Sequence, residues 1–305
     1  MTKIDVFAHI FTKEFGKKLT TLAPAAAKTV EYSRPSMTDL EVRERLMSRH
    51  PEVIQIITMG NTPLERFVQT KDAVELARIG NEELAELVTK RPDLFYSAAG
   101  MVPIEDIDAS IEIIDQCIND FNLLGIQLFT SLERDSLAEP KYRPIFARIA
   151  EHDKAIWIHP SGTDKIDRGM FSWPYESSRL MLDIVNAGIF EDYPDLKIII
   201  HHAGGMVPFF QERVRTIMPK HKEKYFKNFY VDTALYGTTP GLMCALDFFG
   251  VDHMLFGTDA PMGAPHGANG NTSRTIMAIE KMSISDKDKE KIFQENAIDI
   301  FGRLL

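Results

Sequence analysis

The sequence predicts an α/β fold, a (β/α)8 TIM barrel with an insertion after its first strand. Three observations favour it: a length of 305 residues, a series of short apolar segments rich in β-branched and aromatic residues, and amphipathic segments between them. Most of the short segments are apolar at nearly every position, which is typical of parallel strands covered on both faces. An open doubly wound sheet fits less well, because the first predicted turn, FAHIFTKEF, has no glycine-rich fingerprint.

Eight strands and six helices are predicted along the chain. The strands cover residues 3–7, 53–59, 94–102, 125–129, 155–159, 197–202, 228–232 and 253–257. The helices cover residues 64–90, 104–121, 140–152, 175–188, 207–219 and 241–249. Spacings of about 25 to 50 residues between strand starts fit successive βα units.

The chain from about residue 11 to 50 is too long for a single βα connection. We therefore expect an insertion there, partly helical in DLEVRERLMSRH, that covers one end of the barrel. No Pro-, Gly- or Ser-rich linker divides the chain. The expected organisation is one domain spanning residues 1–305.

The composition excludes several classes of protein. With 44% hydrophobic and 26% charged residues, the chain is close to the globular average, so extended disorder is excluded. A net charge of −9 disfavours binding to nucleic acid or to an anionic membrane surface. No apolar run approaches the ~18 residues of a membrane span. Only Cys117 and Cys244 are present, which favours a reducing compartment, and we expect the cytoplasm.

Residues that can bind a metal or transfer a proton recur where predicted strands end, which in a barrel is the catalytic end. They are His9, His159, His201, His202, Asp232 and Asp259. Two histidines and one carboxylate on separate strands make a site that suits Zn²⁺, Mn²⁺ or Fe²⁺ and leaves positions for water or substrate. Because adjacent strand residues point to opposite faces, we expect only one of His201 and His202 to face the barrel axis and the other to pack behind it.

Five motifs in order resemble a known family. They are IDVFAH at the first strand, IWIHP at the fifth, WPYES, PDLKIIIHHAGGMVPFF and FGTDAP. The chain resembles the amidohydrolase-related proteins of the aminocarboxymuconate-semialdehyde decarboxylase type, in the amidohydrolase 2 branch. The resemblance runs from near the first residue to about residue 265. It implies a (β/α)8 barrel that binds one divalent metal ion, zinc in the first instance and manganese as the alternative, and it is compatible with a homodimer.

The resemblance also implies roles for individual residues. His9, His159 and Asp259 match metal ligands, and His202 matches a catalytic histidine. Trp173, in WPYES, matches the wall of a substrate pocket. One position departs from the family pattern: the first strand of its members reads H-x-H or E-x-H, whereas this chain has Phe7 in the first place. A phenyl ring offers no ligand atom, so metal occupancy is in question, although three protein ligands suffice for a catalytic zinc.

The function that the resemblance favours is metal-dependent decarboxylation of a small aromatic or conjugated carboxylic acid. Asp259 would deliver a proton to carbon, and His202 would stabilise the developing negative charge. Arg213 is the candidate partner of the substrate carboxylate. The aromatic candidates for contact with a planar substrate are Phe7, Phe129, Trp173 and Phe209.

Two alternatives remain open at this point. The same constellation serves a metal-dependent hydrolase of a lactone, ester or amide, in which Asp259 would take a proton from water. The other alternative is a barrel with a degenerate metal site that binds a small acid without converting it. The role of His201 and the oligomeric state also remain open, and residues 11–50 and the C-terminal IFGRLL are candidate contact surfaces.

Overall fold

Seven parallel strands form one curled sheet in which each strand pairs with the next along the chain. The computed structural model describes residues 1–26, 34–132, 135–162, 169–262 and 270–303. The strands of the sheet are β1 (Lys3–Ile10), β2 (Val53–Met59), β3 (Phe95–Met101), β4 (Gly125–Phe129), β7 (Ala155–His159), β8 (Lys197–Ile200) and β9 (Tyr230–Val231). A separate antiparallel pair is formed by β5 (Ser131–Leu132) and β6 (Asp135–Ser136).

The segment 254–260 lies between β9 and β1 and closes the sheet. Met254 forms a parallel bridge to Val231, and Ala260 forms one to Ala8. Each side of the segment thereby contacts one edge of the sheet, as the eighth strand of a barrel does. The sheet consequently has the closed arrangement that the sequence predicts.

The predicted eighth strand, 253–257, is not a regular strand. Its place in the barrel is as expected, but side chains accept from two backbone N–H groups at its end. Gly257 donates to Thr233 Oγ1 at 3.1 Å, and Thr258 donates to Asp5 Oδ1 at 2.9 Å. Because these two N–H groups bond to side chains while Leu255 and Asp259 donate to the carbonyls of Val231 and Phe7, the ladder along this region is interrupted.

Helices connect the strands and cover the outside of the sheet. All six predicted helices are present with shifted ends; the first, predicted at 64–90, begins as a short 3-10 turn and becomes α-helical at Thr70. The α-helices are α1 (Lys13–Leu22), α2 (Pro35–Thr38), α3 (Leu40–Met47), α4 (Thr70–Lys90), α5 (Ile107–Asp115), α6 (Arg143–Glu151), α7 (Ser172–Ala187), α8 (Ile189–Asp192), α9 (Gln211–Ile217), α10 (Lys220–Glu223), α11 (Thr239–Phe249), α12 (Gly270–Glu280), α13 (Asp286–Glu290) and α14 (Asn296–Phe301). Within the ranges given above, no helix has the length and apolar composition needed to span a bilayer.

The barrel interior is filled by large side chains away from the catalytic end. Trp157 is fully buried, and its indole Nε1 donates to the Val6 carbonyl at 2.8 Å. Its ring stacks on Phe301 of α14, with ring centroids 5.2 Å apart. Part of the C-terminal segment proposed as a contact surface thus packs within its own chain, while residues 304–305 lie outside the described residues.

The insertion after β1 packs against β1 and β2. As predicted, residues 39–50 are partly helical, in α3, and residues 27–33 lie outside the described part of the chain. Arg43 of α3 is buried; it donates to the His9 carbonyl at 2.5 Å and to Gln55 Oε1 of β2 at 2.8 Å. The insertion therefore supports the end of the strand that carries His9.

Candidate active site

Four side chains from separate segments meet at the carboxyl end of the barrel. They are His9 of β1, His159 at the end of β7, His201 directly after β8 and Asp259 of the closing segment, and all four are buried. Asp259 Oδ1 lies 3.2 Å from His9 Nε2 and 3.5 Å from His201 Nε2. The ring centroids of His9 and His159 are 5.0 Å apart. The structure brings together the three predicted metal ligands and adds His201 to them.

Hydrogen bonds at the outer ring nitrogens define the tautomers of two of these histidines. His159 Nδ1 lies 2.6 Å from the Pro160 carbonyl, and His201 Nδ1 contacts the carboxylate of Asp232. A carbonyl and an ionised carboxylate only accept hydrogen bonds, so the proton lies on Nδ1 in both rings. The inner Nε2 atom is then left to face the cluster.

His9 is held in the same way by a hydroxyl group. Its Nδ1 lies 2.8 Å from Thr58 Oγ1, and that hydroxyl can donate to the Ala8 carbonyl at 3.5 Å. The hydroxyl oxygen then accepts the proton of Nδ1 and leaves Nε2 of His9 with a lone pair. Histidines that bind metals in proteins are oriented by an outer partner of this kind.

Both His201 and His202 face the cluster, so the expectation that one of them packs behind the barrel wall is wrong. Their rings stack with centroids 3.8 Å apart. The alternation of a strand does not extend to them, because β8 ends at Ile200 and His202 has a φ of 59°. Positive φ continues through Gly205, where a Cβ atom would lie 2.4 Å from the Pro174 carbonyl oxygen, so only glycine fits there.

Three of the histidines are neutral in this environment. Burial lowers the pKa of His9. Burial, followed by the charge of neighbouring histidines, lowers the pKa of His159 well below its usual value. The pKa of His202 is lowered to about 4, first by burial and then by the charge of His201. Neutral imidazole is the form that can bind a metal or accept a proton.

His201 and Asp259 form a charged pair inside the cluster. Burial acts to lower the pKa of His201, but the charge of Asp232 and the contacts with Asp259 outweigh it and raise that pKa to about 9. Burial acts to raise the pKa of Asp259, and hydrogen bonds with His201 and His9 outweigh it and hold that pKa below its usual range. The cluster thus stabilises an anionic carboxylate beside a centre of positive charge.

The donor set fits a divalent metal ion. Within the cluster, two buried polar atoms of the described residues have no hydrogen-bond partner, His202 Nε2 and Asp259 Oδ2. His9 Nε2 lies 3.2 Å from Asp259 Oδ1. One ligand atom from each of His9, His159 and His201 lies within 4.8 Å of the other two, and the same holds for His201, His202 and Asp259. Imidazole nitrogens with a carboxylate suit Zn²⁺, Mn²⁺ and Fe²⁺.

Aromatic rings line this cluster. Trp173 of α7 stacks on His202, with centroids 5.7 Å apart and planes 7° apart, and meets His159 edge-on. Phe129 at the end of β4 also meets His159 edge-on. Phe7 is fully buried and stacks on His201. The sequence-predicted residues Trp173, Phe129 and Phe7 are thus all next to the histidines; a contact with substrate stays a prediction for each.

Two other predicted contacts lie on the surface. Phe209 is 77% exposed and packs edge-on against Phe210. Arg213 is exposed on α9 and lines a surface groove of about 500 Å³ that also includes Arg179. In the part of the chain that the structure describes, neither is placed among the histidines. A role of Arg213 toward a substrate carboxylate stays a prediction.

Sequence reasoning missed two residues that support the site. Thr58 orients His9, and the signal for it is a polar residue near the carboxyl end of the predicted strand VIQIITM. Glu176 lies in the WPYES motif, and its Oε2 accepts hydrogen bonds from the backbone N–H groups of Ser161 and Gly162 at 2.9 and 3.1 Å. It therefore holds the chain that follows His159.

The fold and the site together define a (β/α)8-barrel protein with a buried cluster of histidines and a carboxylate at its catalytic end. The amidohydrolase family model matches residues 4–303. The chain belongs to this family, and the resemblance seen in its motifs is confirmed.

Similar proteins include decarboxylases of aromatic acids. The 6-methylsalicylic acid decarboxylase of Penicillium expansum is 29% identical, over 100% of this chain and 97% of that protein. A gamma-resorcylate decarboxylase of a Rhizobium strain is 27% identical over 86% of each chain. A crystal structure of 2,6-dihydroxybenzoate decarboxylase with 2,6-dihydroxybenzoate has a TM-score of 0.80 at 25% identity and covers 99% of this chain and 100% of that one.

A further structural neighbour has a metal ion bound. It is the dihydroxybenzoic acid decarboxylase of Polaromonas with manganese and 2-nitroresorcinol, which has a TM-score of 0.82 at 24% identity over 98% of this chain and 96% of that one. These neighbours confirm the predicted barrel fold. The predicted class, an amidohydrolase-superfamily enzyme that is a lyase or a hydrolase, agrees with the family and its relatives.

Proposed function

We propose that this protein is a metal-dependent carboxy-lyase that removes the carboxylate from a small aromatic acid with a hydroxyl group next to that carboxylate. The observation that carries the proposal is the position of Asp259, with Oδ1 between two histidines and Oδ2 buried without a hydrogen-bond partner among the described residues. Support also comes from the relatives, whose names specify 6-methylsalicylic acid and gamma-resorcylate.

His9, His159 and Asp259 would hold one divalent ion, zinc or manganese. When bound, the ion supplies positive charge that holds substrate oxygens and stabilises the negative charge of the reacting acid. The fit of the donor set supports this assignment: the histidines present Nε2, and the cluster lies at the end of the barrel where catalytic residues gather. Manganese receives support from the Polaromonas neighbour.

Asp259 is the proposed proton donor to carbon. Its carboxyl transfers a proton to the ring carbon that bears the carboxylate, the bond from that carbon to the carboxylate then breaks, and the electron pair returns to the ring. Carbon dioxide leaves and the ring regains a hydrogen. A carboxyl group with a lowered pKa is a strong acid, which favours the transfer once the group is protonated. In the resting cluster Asp259 is an anion. It takes up one proton from solvent in each turnover and passes it to carbon, so that the acid anion and one proton give the phenol and carbon dioxide.

His202 is the proposed partner of the substrate hydroxyl. Its Nδ1 donates to the Ala234 carbonyl at 3.0 Å, so the neutral ring presents Nε2 as an acceptor. The lowered pKa keeps this ring neutral at pH 7. Nε2 takes the hydroxyl proton as the ring carbon is protonated and returns it to oxygen afterwards. Trp173, stacked on His202, provides a flat surface for the aromatic ring.

A substrate screen tests the proposed function. The protein, supplied with Mn²⁺ or Zn²⁺, is incubated with 6-methylsalicylate and 2,6-dihydroxybenzoate, and carbon dioxide and the phenolic product are measured. We expect both products in equal amounts, with none from 4-hydroxybenzoate, which has no adjacent hydroxyl. Asp259→Asn should abolish the reaction. Asp252→Asn is the matched control, because Asp252 is an exposed partner of Lys291. Hydrolysis of lactones without carbon dioxide release would overturn the proposal.

We also propose a cytoplasmic location and a homodimer. The location is supported by two free cysteines, Cys117 and Cys244, of which the first is buried. The dimer is supported by apolar side chains such as Phe210 and Ile217 in the surface groove. Cell fractionation and sedimentation equilibrium test these two proposals; a sedimenting mass of one chain would overturn the second.

A further inference from the structure

His201 is held in place on two sides. Its Nδ1 contacts the carboxylate of Asp232, and its ring stacks on Phe7 with centroids 3.9 Å apart. The carboxylate of Asp232 is itself fixed, since Oδ1 accepts from the backbone N–H groups of Ala203 at 3.1 Å and Ala234 at 3.0 Å. These contacts hold the imidazole with its Nε2 directed into the cluster, toward Asp259.

His201 also has a central position among the donor atoms. Two groups of three residues in the described chain have ligand atoms close to one another. One group is His9, His159 and His201, and the other is His201, His202 and Asp259. His201 is the member that they share. Its Nε2 is 3.5 Å from Asp259 Oδ1. His9 Nε2 lies 3.2 Å from the same carboxylate oxygen, so an ion bound between His9 and Asp259 has His201 beside it.

We propose that His201 binds the divalent ion through Nε2, as a fourth protein ligand, and that Asp232 is the positioning residue that orients it. This inference rests on the metal site of the proposed function. Phe7 has a part in the arrangement: it brings no ligand atom, but its ring supports the imidazole that does. The competing arrangement is an imidazolium of His201 held between Asp232 and Asp259 without a bond to the ion.

Metal titration of the apo-protein tests the proposal without an activity assay. Co²⁺ binding is followed by its visible absorption in wild type, His201→Ala and His9→Ala. We expect both variants to bind Co²⁺ at least about 100-fold more weakly, beyond the 10–100-fold typical of losing an outer partner. Asp232→Asn should weaken binding within that 10–100-fold range. His253→Ala is the control, because His253 bonds to the Phe229 carbonyl and stacks on Tyr230; it should bind as wild type does.

A measurement on wild type covers the case in which His201→Ala does not fold. In the Co²⁺ protein, each imidazole bound through Nε2 shows its Nδ1 proton as a strongly shifted, exchangeable NMR signal. We expect three such signals, from His9, His159 and His201. Two signals, or a folded His201→Ala protein with unchanged Co²⁺ affinity, would overturn the inference and leave the proposed decarboxylation standing. Three signals without carbon dioxide release would support the inference and overturn the proposed function. A wild type that binds no Co²⁺ would overturn the inference and the metal site together.

Discussion

The imidazole of His201 lies on the phenyl ring of Phe7, with centroids 3.9 Å apart and planes inclined by 22°. In the barrel wall β9 and the closing segment 254–260 lie between β8 and β1, so the two rings meet across the interior and not between adjacent strands. Phe7 stands where the resemblance implies a metal ligand, and His201 is a histidine that the resemblance did not assign. Phe7, which departs from the family pattern, is therefore in direct contact with His201, whose role the sequence left open.

Phe7→His should tighten metal binding. Residues two apart on a strand share a face, so the new imidazole would lie beside His9 and add a ligand. We expect the Mn²⁺ dissociation constant to fall roughly tenfold, which corresponds to about 1.4 kcal/mol. Isothermal titration of the apo-proteins measures it. Phe7→Leu keeps an apolar side chain without a donor atom and is the control; equal affinities of the two variants would contradict the prediction.

Trp173→Ala should weaken substrate binding. The indole stacks on His202, and stacking of an aromatic substrate against a ring contributes about 0.5–1.5 kcal/mol. We expect KM for 2,6-dihydroxybenzoate to rise by about 3- to 10-fold, measured from initial rates of carbon dioxide release. Tyr175→Ala removes an exposed aromatic residue from the same helix and should leave KM unchanged. If both variants shift KM equally, Trp173 has no specific role.

Glu176→Gln should destabilise the chain that follows His159. Oε2 of the carboxylate accepts from Thr130 Oγ1 at 2.8 Å and from the N–H groups of Ser161 and Gly162. The oxygen of an amide can take that place, but it is uncharged and accepts more weakly than a carboxylate does. We expect a loss of about 1–3 kcal/mol in the free energy of unfolding, measured by urea denaturation. The exposed Glu191→Gln should stay within about 0.5 kcal/mol of wild type. A loss no greater than that of the control would show that the carboxylate is dispensable.

Asp5→Asn should change how stability depends on pH. Burial raises the pKa of Asp5 from 3.8 to about 6, although hydrogen bonds from Thr258 and Gln55 act in the other direction. The folded protein therefore holds this proton more tightly than the unfolded chain does. The resulting stabilisation is complete below pH 3.8 and is lost as the pH rises to 6, by roughly 3 kcal/mol in total.

The measurement is urea denaturation of wild type and Asp5→Asn at several pH values from 4 to 7. The difference in unfolding free energy between them should shift in favour of the variant as the pH rises, because Asn has no proton to lose. Asp120→Asn, at an exposed position, should show no such trend. A difference that is constant across this range would contradict a raised pKa at Asp5.

Much of the fold was predictable because parallel strands have a local signature. Strands 53–59, 125–129 and 155–159 have the predicted bounds, since each is a short apolar run that ends at a polar or turn residue. The convergence of His9, His159 and Asp259 was predictable too, because strand ends of a barrel meet at one mouth. Less predictable were the ends of helices and the irregular segment 253–257, where side-chain acceptors at Gly257 and Thr258 interrupt the backbone ladder.

By itself, the sequence determined the barrel, its catalytic end and which histidines and aspartates lie there. Only the tertiary structure decided the orientation of His201 and His202 and the partnership of His201 with Asp232, which lies 31 positions away in the chain. The reason is physical: hydrophobic periodicity reports which face of a local segment is buried, and that information stops where β8 stops, at Ile200. Beyond it the backbone takes positive φ values, and side-chain direction depends on which segments the closed barrel brings into contact.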